Sequence, residues 1–112
     1  MCTKSQLEAI EEEMVNYCRS VYGDSIDTII LYGSYARGDY SDDSDIDITA
    51  IVRGNRVELQ KKLKTMWDFS TEVGLAYDVI VSPTVIPYDE FEQYKEKLPY
   101  YRNIVKEGRK IG

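Results

Sequence analysis

The chain has 112 residues, 43% of them apolar and 30% charged, with a formal net charge of −6. That balance suits one globular domain with a modest core and excludes a disordered chain; no apolar run is long enough to span a bilayer and no signal-peptide pattern opens the sequence, so a cytoplasmic location is expected. Histidine is absent and the two cysteines, Cys2 and Cys18, are not in C-x-x-C spacing, which disfavours a disulfide scaffold, a zinc site or a Cys–His nucleophile.

Residues 5–22 read as a first helix. Ser5 and Glu8 fit a capping box, and Leu7, Ile10, Met14, Cys18 and Val21 recur at helical spacing. Glu11, Glu12 and Glu13 read as a solvated acidic face, and Cys18 as a small core residue. Gly23 and Asp24 end the helix. The β-branched and aromatic run Ile26–Tyr32 then reads as a strand.

Gly33 and Ser34 fall where that strand gives way to a short helix. Backbone N–H groups are unpaired at such a start and the helix dipole is positive there, so a phosphate fits. Ser34 can both cap the helix and donate its hydroxyl to a phosphate oxygen. Arg37 can reach a phosphate or pair with Asp39 or Asp42, and Gly38 suits a positive φ or a close approach. Residues 39–44 form an acidic loop. It is not a calcium loop: counting from Asp39 puts Ser44 and Ala50, and from Asp42 puts Asp47 and Arg53, where an EF-hand needs Gly and Glu.

Residues 45–52 read as the second strand. Side chains alternate along a strand, so Asp45 and Asp47 share a face, roughly 6–7 Å apart, while Ile46, Ile48 and Ala50 face the other way. Two carboxylates on one face repel unless a cation sits between them, and hard oxygen ligands suit Mg²⁺, which fills its remaining positions with water and substrate phosphate. With no histidine, any general base near neutral pH is a carboxylate, a metal-bound hydroxide or the substrate itself. A phosphate cradle beside a carboxylate pair is a site for nucleoside triphosphate chemistry.

Gly54 and Asn55 make a turn, and residues 56–70 read as a helix with Leu59, Leu63, Met66 and Trp67 on its core face. Residues 70–74 break it, and residues 75–81 read as a third strand with Asp78 inside. A carboxylate there is costly unless it is paired, bound to metal or on an exposed face. Ser82, Pro83 and Thr84 close the strand. Pro87 precedes a helix over residues 88–97 that packs through Phe91, Tyr94 and Leu98; Pro99 starts another helical segment whose Tyr101, Ile104 and Val105 dock on the sheet. The basic residues and the polar end of the chain read as solvated, so no direct nucleic-acid surface is expected. Most of the ten tyrosines read as half-buried packing. The order α-β-α(short)-β-α-β-α predicts a single α+β domain over residues 1–112, α/β-like, with a small mixed sheet and helices mainly on one face.

The pattern G-S-x10-D-x-D, carried by Gly33, Ser34, Asp45 and Asp47, resembles the DNA polymerase β-like nucleotidyltransferase superfamily. The fuller form, G-S-Y-A-R-G-D followed by S-D-x-D, and the ending P-Y-Y-R-N-I-V-K-E-G resemble its minimal nucleotidyltransferase branch, small domains paired with HEPN-domain toxins as antitoxins. The resemblance implies the nucleotidyltransferase fold and transfer of AMP from ATP to a hydroxyl, a tyrosine of the HEPN-type toxin. It implies Mg²⁺, two ions, on Asp45, Asp47 and a third acidic residue on a later strand, matched by Asp78, with Gly33 and Ser34 on the β,γ-phosphates. Two alternatives stay open: an antitoxin that acts by binding alone, and a transferase for a small molecule such as an antibiotic.

Overall fold

The computed structural model describes residues 3–112; Cys2 lies outside them. The first helix, α1 (Lys4–Tyr22), starts at Thr3, whose hydroxyl accepts from the Gln6 N–H at 3.1 Å while the Gln6 side chain accepts from the Thr3 N–H at 2.9 Å. The capping box is thus Thr3 and Gln6, not Ser5 and Glu8. Gly23, at φ 60°, stops α1 as expected and a single 3₁₀ turn, Gly23–Ser25, feeds strand β1 (Ile26–Tyr32). There follow α2 (Ser34–Arg37), β2 (Ile46–Val52), α3 (Arg56–Tyr77), β3 (Val81–Pro87), α4 (Tyr88–Tyr94), α5 (Pro99–Glu107) and β4 (Arg109–Lys110).

The sheet has the order β3-β2-β1-β4 and is mixed: β2 runs antiparallel to β1 and parallel to β3, and β4 is antiparallel to β1. A parallel pair needs a crossover, and α3 is that crossover. Strand alternation divides the core in two. Ile29 and Leu31 of β1, Ile46, Ile48, Ala50 and Val52 of β2, and Val81 and Val85 of β3 pack under the two long helices α1 and α3. Ile51 and Ile86 face the other way, with Phe91, Tyr101 and Ile104 of α4 and α5. The expected fold class stands, and the face opposite the long helices carries this smaller layer.

Several local expectations are corrected. The helix read as ending near residue 70 continues to Tyr77, with Gly74 inside it. Gly74 is there for close approach: a Cβ would lie 2.5 Å from the Val79 carbonyl oxygen, and the Val79 N–H donates to the Gly74 carbonyl at 2.9 Å. Residues 75–78 are therefore helix and helix end, and the third strand begins at Val81, so Ser82, Pro83 and Thr84 lie within it. Two prolines fit because β3 is an edge strand. Trp67, Leu98 and Val105, read as core, are exposed. Glu11 of α1, read as solvated, is buried, with its carboxylate 2.6 Å from the Arg109 guanidinium. That pair ties β4, at the polar end of the chain, to the first helix.

Candidate active site

Register places the two halves of the G-S…D-x-D motif side by side. Tyr32, the last residue of β1, pairs with Asp47 of β2. The turn that follows Tyr32 therefore lies against the Asp47 side chain. Gly33 has φ 79° and ψ −156°, a conformation that only glycine adopts readily. A Cβ on Gly33 would lie 2.7 Å from the Asp47 Oδ2, inside van der Waals contact, so the space next to the turn is already filled by the Asp47 carboxylate. Gly33 is itself the N-cap of α2, its carbonyl accepting from the N–H groups of Ala36 and Arg37 at 3.1 Å each. Ser34 is the first residue of that helix, not its cap, and no side-chain cap bond uses its hydroxyl. Gly38, in the left-handed region at φ 90°, closes α2 by donating to the Ser34 carbonyl at 2.8 Å.

The two aspartates are unequal. Asp47 sits half-buried in β2, and burial first, then the nearby Asp45 charge, hold its carboxyl above the usual carboxylate range. Asp45 is exposed, one residue before the strand. The Ile46 N–H between them donates to the Ile80 carbonyl at 2.8 Å, which anchors this end of β2 to the start of β3. The acidic loop before them is ordered locally: the Ser44 hydroxyl accepts from the Ser41 N–H at 2.9 Å, and the Tyr35 and Tyr40 rings stack at 4.3 Å.

Arg37 pairs with Asp39 at 3.3 Å, as one reading allowed, and also with Glu107 at the end of α5, again at 3.3 Å. The link to Glu107 was not legible, since the partners are 70 residues apart. Tyr32, paired with Asp47 across the strands, borders the Gly33 turn. Its hydroxyl is pushed up by burial, then by the Glu107, Tyr100 and Asp47 charges against the opposing Arg37, and its ring meets Tyr100 edge-on at 5.8 Å.

Asp78 does not arrive on a strand. It is the residue that stops α3, at φ 56° and ψ 48°, where its N–H donates to the Gly74 carbonyl. Aspartate tolerates this left-handed position better than most residues. It lines an open cleft of about 590 Å³ together with Asp43 and Asp45, yet among the described residues no three acidic, histidine or cysteine side chains form a metal-holding group. Asp78 shares the cleft with Asp45 from the end of α3, while Asp47 lies against the Gly33 turn and feels the Asp45 charge. The pair still fits a hard divalent cation. Both groups are oxygen donors, they repel each other, and Asp47 stands against the Gly33 turn.

A family model described as a nucleotidyltransferase domain matches residues 11–111. Two provisionally named protein adenylyltransferases of Methanocaldococcus jannaschii are similar to this chain. One is 36% identical over 98 residues, covering 88% of this chain and 90% of that protein. The other is 33% identical over 97 residues, covering 79% and 96%. Among solved structures, a toxin–antitoxin crystal structure with AMP-PNP aligns over 90% of this chain and 72% of that one, with TM-score 0.53 and 17% identity. A mutant MntA–HpeT toxin–antitoxin structure aligns over 91% and 72%, with TM-score 0.57 and 16% identity. At those identities the structural likeness establishes the fold.

Proposed function

The chain belongs to the nucleotidyltransferase-domain family, and from that premise we propose that it transfers AMP from ATP to a tyrosine hydroxyl of a HEPN-type partner toxin and so neutralises it. The observation that carries the reading is the meeting of the Gly33 turn with the Asp47 carboxylate, with Asp45 beside it. The names of the M. jannaschii relatives and the toxin–antitoxin context of the structural neighbours support a protein acceptor.

In this reading the Gly33 turn and the Ser34 hydroxyl bind the β,γ-phosphates, and Asp45 and Asp47 hold Mg²⁺, two ions as in the superfamily. When bound, that metal neutralises polyphosphate charge and stabilises both the attacking and the leaving oxygen. The acceptor oxygen bonds to the α-phosphorus, the bond to pyrophosphate breaks, and the hydroxyl proton is released. The chain's own contribution is placement: β2 fixes Asp47 against the turn, and the Ile46–Ile80 hydrogen bond fixes the segment that carries Asp45. Arg37 reaches a phosphate only by leaving Asp39 or Glu107. Asp78 ends α3 and shares the cleft with Asp45, so the metal is assigned here to the Asp45 and Asp47 pair.

The test is to mix the protein with the toxin encoded beside it, ATP and Mg²⁺, and weigh the toxin by mass spectrometry. One or more added AMP units, lost in Asp45→Asn and Asp47→Asn, support the proposal. Neutralisation that survives both substitutions without any added mass overturns it in favour of binding alone, and transfer to small hydroxyl compounds without partner overturns the protein acceptor.

A further inference from the structure

The cleft that Asp45 shares is built for something other than a polyphosphate. One wall is the outward stripe of the second half of α3: Trp67, Thr71 and Leu75 at helical spacing, with Asp78 at its end. The facing wall is the segment running into β3, with Ile80, and the acidic loop closes the end with Asp43 and Asp45. Trp67 is 43% exposed, Leu75 80% and Ile80 61%, three large apolar side chains in one concavity. The wall's own hydroxyls are satisfied internally, since Ser70 and Thr71 both donate to the Trp67 carbonyl at 2.9 Å. Among the described residues no lysine or arginine lines the cleft.

Its charge therefore opposes the triphosphate, and its surface is apolar between carboxylates. Both features complement a cationic, apolar polypeptide segment. The cleft is also continuous with the reacting centre, because Asp45 belongs to both. We propose that this cleft is the acceptor subsite: a short segment of the acceptor protein, with lysine or arginine flanking an apolar or aromatic anchor, docks on Trp67, Leu75 and Ile80 and presents its hydroxyl toward Asp45. The proposal rests on the transferase reading above and adds where the acceptor sits and which chemistry the cleft selects. Trp67, Leu75 and Ile80 are specificity residues; they hold the acceptor and take no part in the bond exchange.

Trp67 is the single tryptophan of the chain, so its fluorescence reports on this wall alone. The probes are two synthetic peptides, each with one tyrosine among leucines, one flanked by lysine and arginine and the other by aspartate and glutamate. Titrated into the Asp47→Asn protein, where no transfer intervenes, the cationic peptide is expected to shift Trp67 emission saturably, and the acidic peptide and ATP alone are expected not to. Leu75→Lys and Ile80→Lys place a cation in the cleft on exposed positions that do not endanger folding. Each should weaken the cationic peptide about tenfold, and in the Asp47-intact protein should raise the acceptor KM about tenfold with the ATP KM within about twofold. A saturable Trp67 shift with ATP alone would assign the cleft to the nucleobase and overturn the proposal. So would emission that changes with protein concentration, which marks a second copy, equal binding of the two peptides, or lysine variants that bind as the parent does. The transferase reading fails separately: peptide binding without any AMP transfer to the partner toxin sinks that reading and leaves the docking site, whereas unchanged transfer kinetics in both lysine variants sinks the site and leaves the reading.

Discussion

Gly33→Ala tests the geometry on which the site depends. Two penalties add at this residue. The first is backbone: φ 79° with ψ −156° is a region that only glycine occupies readily, and forcing a side chain there costs on the order of 1–3 kcal/mol. The second is contact: the new methyl would stand 2.7 Å from the Asp47 Oδ2, so the carboxylate, the turn or both must move. A shift on the order of 1 Å at a reacting centre can cost about a hundredfold in rate. Gly38→Ala separates the two effects, because Gly38 also has a left-handed φ, 90°, but nothing lies within 4 Å of a Cβ there. Urea denaturation should show both variants destabilised, Gly33→Ala by about 1–3 kcal/mol and Gly38→Ala by about 1 kcal/mol. AMP transfer to the partner, followed by mass spectrometry at a temperature where both variants remain folded, should fall about a hundredfold in Gly33→Ala and only a few-fold in Gly38→Ala. Equal loss of activity in the two would refute the reasoning, since it would mean that backbone strain, and not the approach of Asp47 to the turn, controls the site.

Asp47→Asn should abolish transfer, by on the order of a thousandfold or more, yet raise the unfolding midpoint at neutral pH. The sign follows from the raised carboxyl: the folded chain binds that proton more tightly, so ionised Asp47 subtracts stability above its raised value, and the penalty fades as pH falls from that value toward the unfolded one, below which it is gone. The variant's advantage should therefore shrink in acid, and an advantage that grows in acid would contradict this. Asp78→Gly relaxes a left-handed non-glycine residue and should stabilise the fold by up to about 1 kcal/mol, with kcat at saturating acceptor within a few-fold; a collapse of kcat to the Asp47→Asn level would restore Asp78 as a metal ligand. Glu11→Gln leaves Arg109 without its carboxylate and should cost about 1–2 kcal/mol, between surface and buried pairs, with faster amide exchange at Ile111, whose N–H donates to Ile29. Cys18, with its thiol pushed up to about 11 by burial, should resist alkylation in the folded protein and react on unfolding, as read by peptide mass.

The parts of this molecule that were legible in the sequence are those fixed over short stretches. A β-branched run, a glycine–serine turn and two aspartates one residue apart specify β1, α2 and β2 within a few residues, and the register then brings the motif together. What misled was punctuation whose cause lies elsewhere in the chain. Gly74 looks like a break because glycine usually weakens a helix, but here the returning chain passes so close that no side chain fits. Asp78 looks like a strand residue among apolar neighbours, although it occupies the left-handed end of α3. Pro83 looks like a strand terminus, but an edge strand has no second partner to disappoint. Trp67 borders the stripe of Leu59 and Met66, and the buried line continues instead through Ser70 and Val73, which turns the indole outward. The Glu11–Arg109 pair spans 98 residues, and no local pattern encodes it.

The inequality of the two aspartates is what makes the site intelligible as chemistry and not as packing. A residue chosen only to complete β2 at position 47 would be apolar or a threonine, as at Thr49 and Ile51 on the same face. A carboxylate there is partly desolvated, repelled by its neighbour and wedged against a turn that tolerates no Cβ. Each of these features works against folding, and they converge on one end of the sheet, where β1 leaves and β2 enters. Asp45, one pleat away, stays in solvent and faces the apolar cleft. One carboxylate is thus held by the strand beside the Gly33 turn, and the other stands at the cleft proposed above for the acceptor. In the proposed reading a divalent cation between them would relieve the repulsion that folding alone leaves in place, so the charge pair that lowers stability in the free chain would become favourable on loading.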